Sequence, residues 1–113
     1  MNPYEALANA IITQAANDYR KAVKFLKKHP RTDEFEADVA ARLAEKEKRR
    51  KERKEKKLPP EREKKSKEER LLDSIRSNER IAQETEKFFH SEWFSRLTTI
   101  DGHWLFERIK NGG

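Results

Sequence analysis

The chain has no cysteine, which excludes disulfides and thiolate-held metals and fits a reducing compartment. It has only three glycines in 113 residues, and no phosphate-cradling glycine loop, nucleophile elbow or zincin pattern occurs. The histidines His29, His90 and His103 do not fall at metal-ligand spacing with one another or with carboxylates. No stretch approaches the ~20 apolar residues that a membrane-spanning helix needs. The N-terminus lacks a basic segment followed by an apolar run, so no signal peptide is expected and a cytoplasmic location in the host cell is. These absences predict a protein that is not an enzyme and has no metal, cofactor, small-molecule ligand or membrane partner. Apolar residues are also scarce at 34%, against 42% charged, so any core must be small and part of the chain must lie outside it.

The net charge of +6 is localised. Residues 46–57 carry nine basic and three acidic groups, whereas residues 32–45 carry one and five. Residues 71–113 are close to neutral, with six basic and seven acidic groups. Four of the ten aromatic residues fall in Phe88–Leu97, and Trp104 and Phe106 follow. A core can form there, and the rest of the chain either covers this cluster or leads away from it.

The spacing predicts an all-α fold. Asn2-Pro3-Tyr4-Glu5 reads as a helix start, with Asn2 as cap and Pro3 at the first helical position. Ala8, Ile12, Ala15, Tyr19, Ala22 and Leu26 then recur at near-heptad spacing, widened by Leu7, Ile11 and Val23. Pro30 ends this helix at about Lys28. Thr32 or Asp33 caps a second helix whose apolar stripe is short: Phe35, Val39, Ala40 and Leu43. Helix formers continue to Leu58, and Pro59-Pro60 break the run. A third helix is expected from near Glu61, with Leu71, Ile75, Asn78, Ala82, Thr85 and Phe89 as its seam; Asn78 and Thr85 could fix the register if paired. Ser91 starts a short helix over Glu92–Leu97. Asp101 caps a last one over Gly102–Lys110, with Ile100 and Leu105 placed as a hydrophobic staple. Asn111-Gly112-Gly113 is a stop signal. The expected architecture is a single domain, residues 1–113. Residues 1–45 and 71–113 form a small helical bundle, and 46–70 a projecting, highly charged antiparallel helical hairpin turning at Pro59-Pro60.

Two groups of residues are candidates for function. Lys46, Arg49, Arg50, Arg53, Lys54 and Lys57 lie at helical spacing and form one face with no acidic residue in it, Glu47, Glu52 and Glu55 falling elsewhere around the helix. Such a face suits nucleic-acid phosphates, with arginine able to contact them bidentately. It lacks interleaved aromatics for base stacking, so sequence readout is not expected. The same residues also read as a solvated spacer, because Glu47–Lys51, Glu52–Lys56, Glu61–Lys65 and Glu63–Lys67 are favourable i,i+4 pairs, or as a contact for an acidic protein. The second group is Trp93, Phe94, Arg96, Trp104 and Arg108. Its aromatics are either simply core or, if exposed beside the arginines, a protein interface.

The stretches Ala8–Arg20 and Phe88–Gly102 resemble small hypothetical proteins of phages and mobile elements in low-GC Gram-positive bacteria. The resemblance covers about a third of the chain and carries over no functional residues. It implies a setting in which small orphan proteins include anti-CRISPR proteins, which bind a Cas nuclease or its guide-RNA complex. Many of those are acidic DNA mimics. A basic arm points instead to guide RNA or to an acidic protein surface.

The expected function is therefore a non-enzymatic helical binding protein that engages a nucleic-acid–protein complex through its basic arm, most concretely as an anti-CRISPR-type inhibitor of a Cas nuclease. The alternative is a structural, self-associating spacer, possible as a homodimer, in which the seams of the first and third helices pair between copies and nucleic acid is not bound.

Overall fold

The computed structural model describes residues 2–60 and 62–112 and contains five helices: α1 (Pro3–Lys28), α2 (Asp33–Glu55), α3 (Lys67–Phe89), α4 (Glu92–Leu97) and α5 (Gly102–Lys110). No strand occurs among the described residues, and the protein is all-α. The chain divides into two compact units, Met1–His29 with Ile75–Gly113, and Pro30–Ser74. Helix α3 contributes to both.

Four helices begin where a short polar side chain can satisfy their free amides. Asn2 Oδ1 accepts from the Glu5 amide at 2.8 Å, Thr32 Oγ1 from Phe35 at 3.1 Å, Ser91 Oγ from Phe94 at 3.2 Å, and Asp101 Oδ1 from His103 at 3.0 Å. These caps fix the starts of α1, α2, α4 and α5 as the sequence predicts. α1 ends at Lys28, with the His29 amide bonded to the Phe25 carbonyl, before Pro30.

In the aromatic unit the core consists of Ile12 and Ala16 of α1, Phe89 of α3, Phe94 of α4, and Phe106 and Ile109 of α5. Phe89, Phe94 and Phe106 are each 1% exposed. Their rings meet at tilted angles, Phe89–Phe94 at 5.3 Å and Phe89–Phe106 at 5.9 Å, while Tyr19 meets Phe106 edge-on at 5.0 Å. Full burial of each ring stabilises the unit by roughly 1.5–3 kcal/mol. The α1 stripe is narrower than its spacing suggests: Leu7 is exposed, as is the expected staple residue Ile100. The Thr85 hydroxyl bonds the Ile81 and Ala82 carbonyls of its own helix, so it does not set the α3 register through a partner.

At Gly102 the backbone of α5 packs tightly against the end of α3. A Cβ built there would lie 1.9 Å from the Phe89 carbonyl oxygen and 2.8 Å from the Phe94 ring. Only glycine lets the first turn of α5 rest on the end of α3.

The charged unit departs from the expected pair of helical limbs. α2 stops at Glu55, not Leu58. The Leu58 amide bonds the Arg53 carbonyl at 2.9 Å, and the Lys57 amide bonds the Lys54 carbonyl at 3.1 Å. Lys57 takes φ 54°, so this is a Schellman ending with lysine where glycine is usual. Leu58 precedes Pro59 and is sterically disfavoured from the helical region, so the helix cannot run up to the prolines. The expected start of the third helix, Glu61, lies outside the described residues. Residues 62–66 are not helical, and α3 begins at Lys67 with Ser66 Oγ accepting from the Glu69 amide at 3.2 Å. The return path runs antiparallel to α2: Arg42 meets Glu68, Lys46 meets Lys64 and Glu69, Arg50 meets Glu63, and Arg53 meets Pro59. Among the described residues the hairpin is therefore helical on one limb and non-helical on much of the other, tied by polar contacts.

Most of residues 46–70 are solvated, as expected, with one clear departure. Glu69 is buried, and its Oε2 accepts from Lys46 Nζ at 2.9 Å. Its other oxygen, Oε1, is buried without a hydrogen-bond partner among the described residues.

Candidate nucleic-acid interface

Helical periodicity gathers Arg49, Arg50, Arg53 and Lys54 at the C-terminal end of α2. The Schellman turn folds Leu58 and Pro60 back beside them, and the return segment adds Glu63. Together these residues line a recess of about 450 Å³ with a cationic wall and an apolar floor. Leu58 is 47% exposed, so the floor is open to solvent.

The cations differ in what they already hold. Arg50 Nε donates to Glu63 Oε1 at 2.9 Å, and Nη2 donates to Oε2 of the same carboxylate, a bidentate pair. The hydrogen bond with Arg50, reinforced by the charges of Arg50, Lys46 and Arg49, holds the Glu63 carboxyl below its ordinary pKa, and the same bond pushes Arg50 up. Arg53 donates twice to the Pro59 carbonyl, from Nε at 3.0 Å and Nη2 at 2.9 Å. Arg49 makes a loose i,i+4 pair with Glu45 at 3.5 Å. Lys54 forms no ion pair among the described residues.

The two outer members of the predicted face are not in the recess. Lys46 donates to the Lys64 carbonyl and to Glu69, both at 2.9 Å, and its side chain is only 17% exposed. Lys57 lies past the helix end in the left-handed region and does not continue the α2 face. The face is also not free of carboxylates, because Glu63 and Glu69 reach it from the far side of the turn. Helical spacing carries no information about them. Nor does it single out Arg62 and Lys64, which line a smaller recess of about 130 Å³ with Lys46, Arg49 and Glu63. They lie in a stretch of near-balanced charge, and only the antiparallel return brings them to α2.

The second candidate group separates cleanly. Phe94, expected at an interface, is a core residue at 1% exposure, because Ser91 caps α4 and turns that side chain inward. Trp93 and Trp104 are 56% and 53% exposed. The Arg108 guanidinium lies over the Trp104 ring, 5.1 Å from its centroid, in cation–π geometry. Arg96 is exposed, and its carbonyl accepts from the Tyr4 hydroxyl at 3.4 Å. A shallow groove of about 320 Å³ runs beside Trp93, with Ile11, Ala15, Ile81 and Phe88 as its apolar part and Asp18 and Glu84 among its polar lining. His90 and His103, far apart in sequence, bring their rings to 5.1 Å. No group of three or more metal-ligating side chains occurs among the described residues, and no helix among them is long and apolar enough to cross a membrane.

The fold and these surfaces define the class: an all-α protein with one aromatic-cored unit and one charge-laced unit. No family model, curated protein or solved structure matches the chain.

Proposed function

We propose that the chain is a non-enzymatic helical binding module that engages a nucleic-acid–protein complex, with the α2 recess on phosphate and the exposed tryptophans on protein. The carrying observation is the convergence of Arg49, Arg50, Arg53 and Lys54 on one solvent-open recess that contains a single carboxylate, Glu63. Guanidinium groups held beside one another match phosphate oxygens, and no acidic residue of α2 intrudes. Trp104 with Arg108 above it, and Trp93 beside its groove, supply rigid anchors of the kind that protein interfaces use. The most concrete form is an anti-CRISPR-type protein that blocks a Cas nuclease by contacting its guide RNA and a neighbouring protein surface. That form rests on the sequence resemblance and on the basic sign of the arm.

The test replaces Arg49, Arg50, Arg53 and Lys54 together by glutamine and measures binding to single-stranded RNA across a salt series. For every phosphate the variant no longer neutralises, the log-affinity against log-salt slope should flatten by ~0.7. An unchanged affinity and slope would remove the recess from the mechanism.

Self-association is the second reading, favoured by the exposure of Tyr4, Leu7, Trp93 and Trp104. The seam residues Ala8, Ile12, Ala22, Ile75 and Phe89 are already buried within the chain, so a dimer would use these outer residues instead. Light scattering over a concentration series separates a dimer from a monomer that binds RNA.

A further inference from the structure

The recess contains groups that imitate its ligand. Arg50 is clasped by a carboxylate in the two-oxygen geometry that a phosphate would use, and Arg53 is bonded twice to one carbonyl oxygen. Both acceptors, Glu63 and Pro59, belong to the non-helical return segment, not to α2. Arg50 is 67% exposed and Glu63 22%, so the pair sits at the solvent-facing side of the site and water or a ligand can reach it. An exposed pair of this kind is weak and exchanges readily. The segment is non-helical on both sides of Glu63, at 58–60 and at 62–66, and its ends are tied to α2 and α3 by the Leu58–Arg53 and Arg70–Ser66 backbone bonds. Leu58 is held by its amide bond to the Arg53 carbonyl in the Schellman turn, which Glu63 does not take part in.

We infer that Glu63 is a built-in competitor for the α2 recess. In the free protein its carboxylate occupies the phosphate position on Arg50, and a nucleic-acid phosphate displaces it, with the adjoining sugar covering Leu58 and Pro60. The inference rests on the reading of α2 as a phosphate-binding face and adds to it a residue that sets affinity. Glu63 raises the threshold for binding, so isolated phosphates do not hold the site while a strand contacting Arg49, Arg53 and Lys54 at once does. Its effect comes from position and not simply from charge.

The experiment is fluorescence anisotropy with a labelled single-stranded RNA of mixed sequence, on the wild-type chain, Glu63→Gln, Glu63→Asp and Glu55→Gln. Glu63→Gln should bind roughly two- to fivefold more tightly than wild type, the range set by an exposed ion pair. Glu55→Gln removes the same charge from α2 outside the recess lining and should bind distinctly less tightly than Glu63→Gln. Glu63→Asp keeps the charge but shortens the reach; it should fall between wild type and Glu63→Gln, and it gives the same answer if the glutamine variant folds poorly. Equal gains in Glu63→Gln and Glu55→Gln, or no gain in Glu63→Gln while wild type still binds RNA, would overturn the competitor and leave the phosphate-binding reading standing. Absence of RNA binding in every variant would overturn both.

Discussion

Replacing Lys46 by methionine keeps most of the apolar stem but removes the ammonium that compensates Glu69. In the structure that carboxylate is 7% exposed, one oxygen bonded to Lys46 at 2.9 Å and the other buried with no partner among the described residues. Removing one member of a buried pair typically costs about 3–5 kcal/mol, because the remaining charge loses both water and partner. Lys46 retains 17% side-chain exposure, so water can partly replace it, and the lower end of about 3 kcal/mol applies. The opposite variant, Glu69→Gln, should cost less, about 1–2 kcal/mol, since Lys46 keeps the Lys64 carbonyl and some solvent. Combining Lys46→Met with Glu69→Leu should recover most of the stability, as apolar replacements of buried ion pairs often do. Urea unfolding followed by circular dichroism at neutral pH measures all three, and a deficit of about 3 kcal/mol should lower the melting temperature by more than about 10 °C for a domain near this size. Single variants within about 0.5 kcal/mol of wild type would show that the pair is solvated, and the antiparallel return built on it would be refuted.

Gly102→Ala should destabilise the aromatic unit by more than about 3 kcal/mol, because the new methyl would collide with the Phe89 carbonyl and backbone must move; thermal unfolding checks it, and a cost below about 1 kcal/mol would contradict the packing of α5. Lys57→Gly should stabilise the chain by about 1 kcal/mol by relieving a lysine at φ 54°, read as a higher urea midpoint; a lower midpoint instead would mean that Lys57 leaves the left-handed region in solution. Glu63 should titrate below the ordinary carboxylate value of 4.5, because its folded-state pKa is depressed by Arg50. Its ion pair is thus fully present above that value and is lost as pH falls through the lower folded-state pKa. Carbon-detected NMR of the Glu63 carboxyl reads the midpoint, and an unshifted one would show the pair open in solution.

The helix starts were legible because their signals are local. Asn2, Thr32, Ser91 and Asp101 each bond an amide two or three residues on, and α4 and α5 have the expected bounds. The end of α2 and the start of α3 were not, because the residues on either side of Pro59-Pro60 are mostly good helix formers whose behaviour is decided by two things propensity does not count. One is the steric effect of Pro59 on Leu58; the other is a set of contacts to α2 from residues distant in sequence, such as Arg50–Glu63 across 13 positions and Lys46–Glu69 across 23. For the same reason Glu63 could not be seen to share the basic face. Phe94 and Trp93 are neighbours in sequence with opposite fates, core and surface, and a short helix with two adjacent aromatics does not say which of them turns inward. Gly102 read as an ordinary helix start, since the Phe89 carbonyl that demands it is thirteen residues away.

The most direct measurement of the central claim is an NMR titration of the isotope-labelled chain with single-stranded RNA at low salt. Phosphate binding in the α2 recess predicts that the side-chain Nε–H signals of Arg49, Arg50 and Arg53 and the amides of Leu58, Arg62, Glu63 and Lys64 shift together, with signals from the aromatic core unmoved. Shifts confined to α1 and α5, or none at RNA concentrations that saturate nonspecific binding, would contradict it.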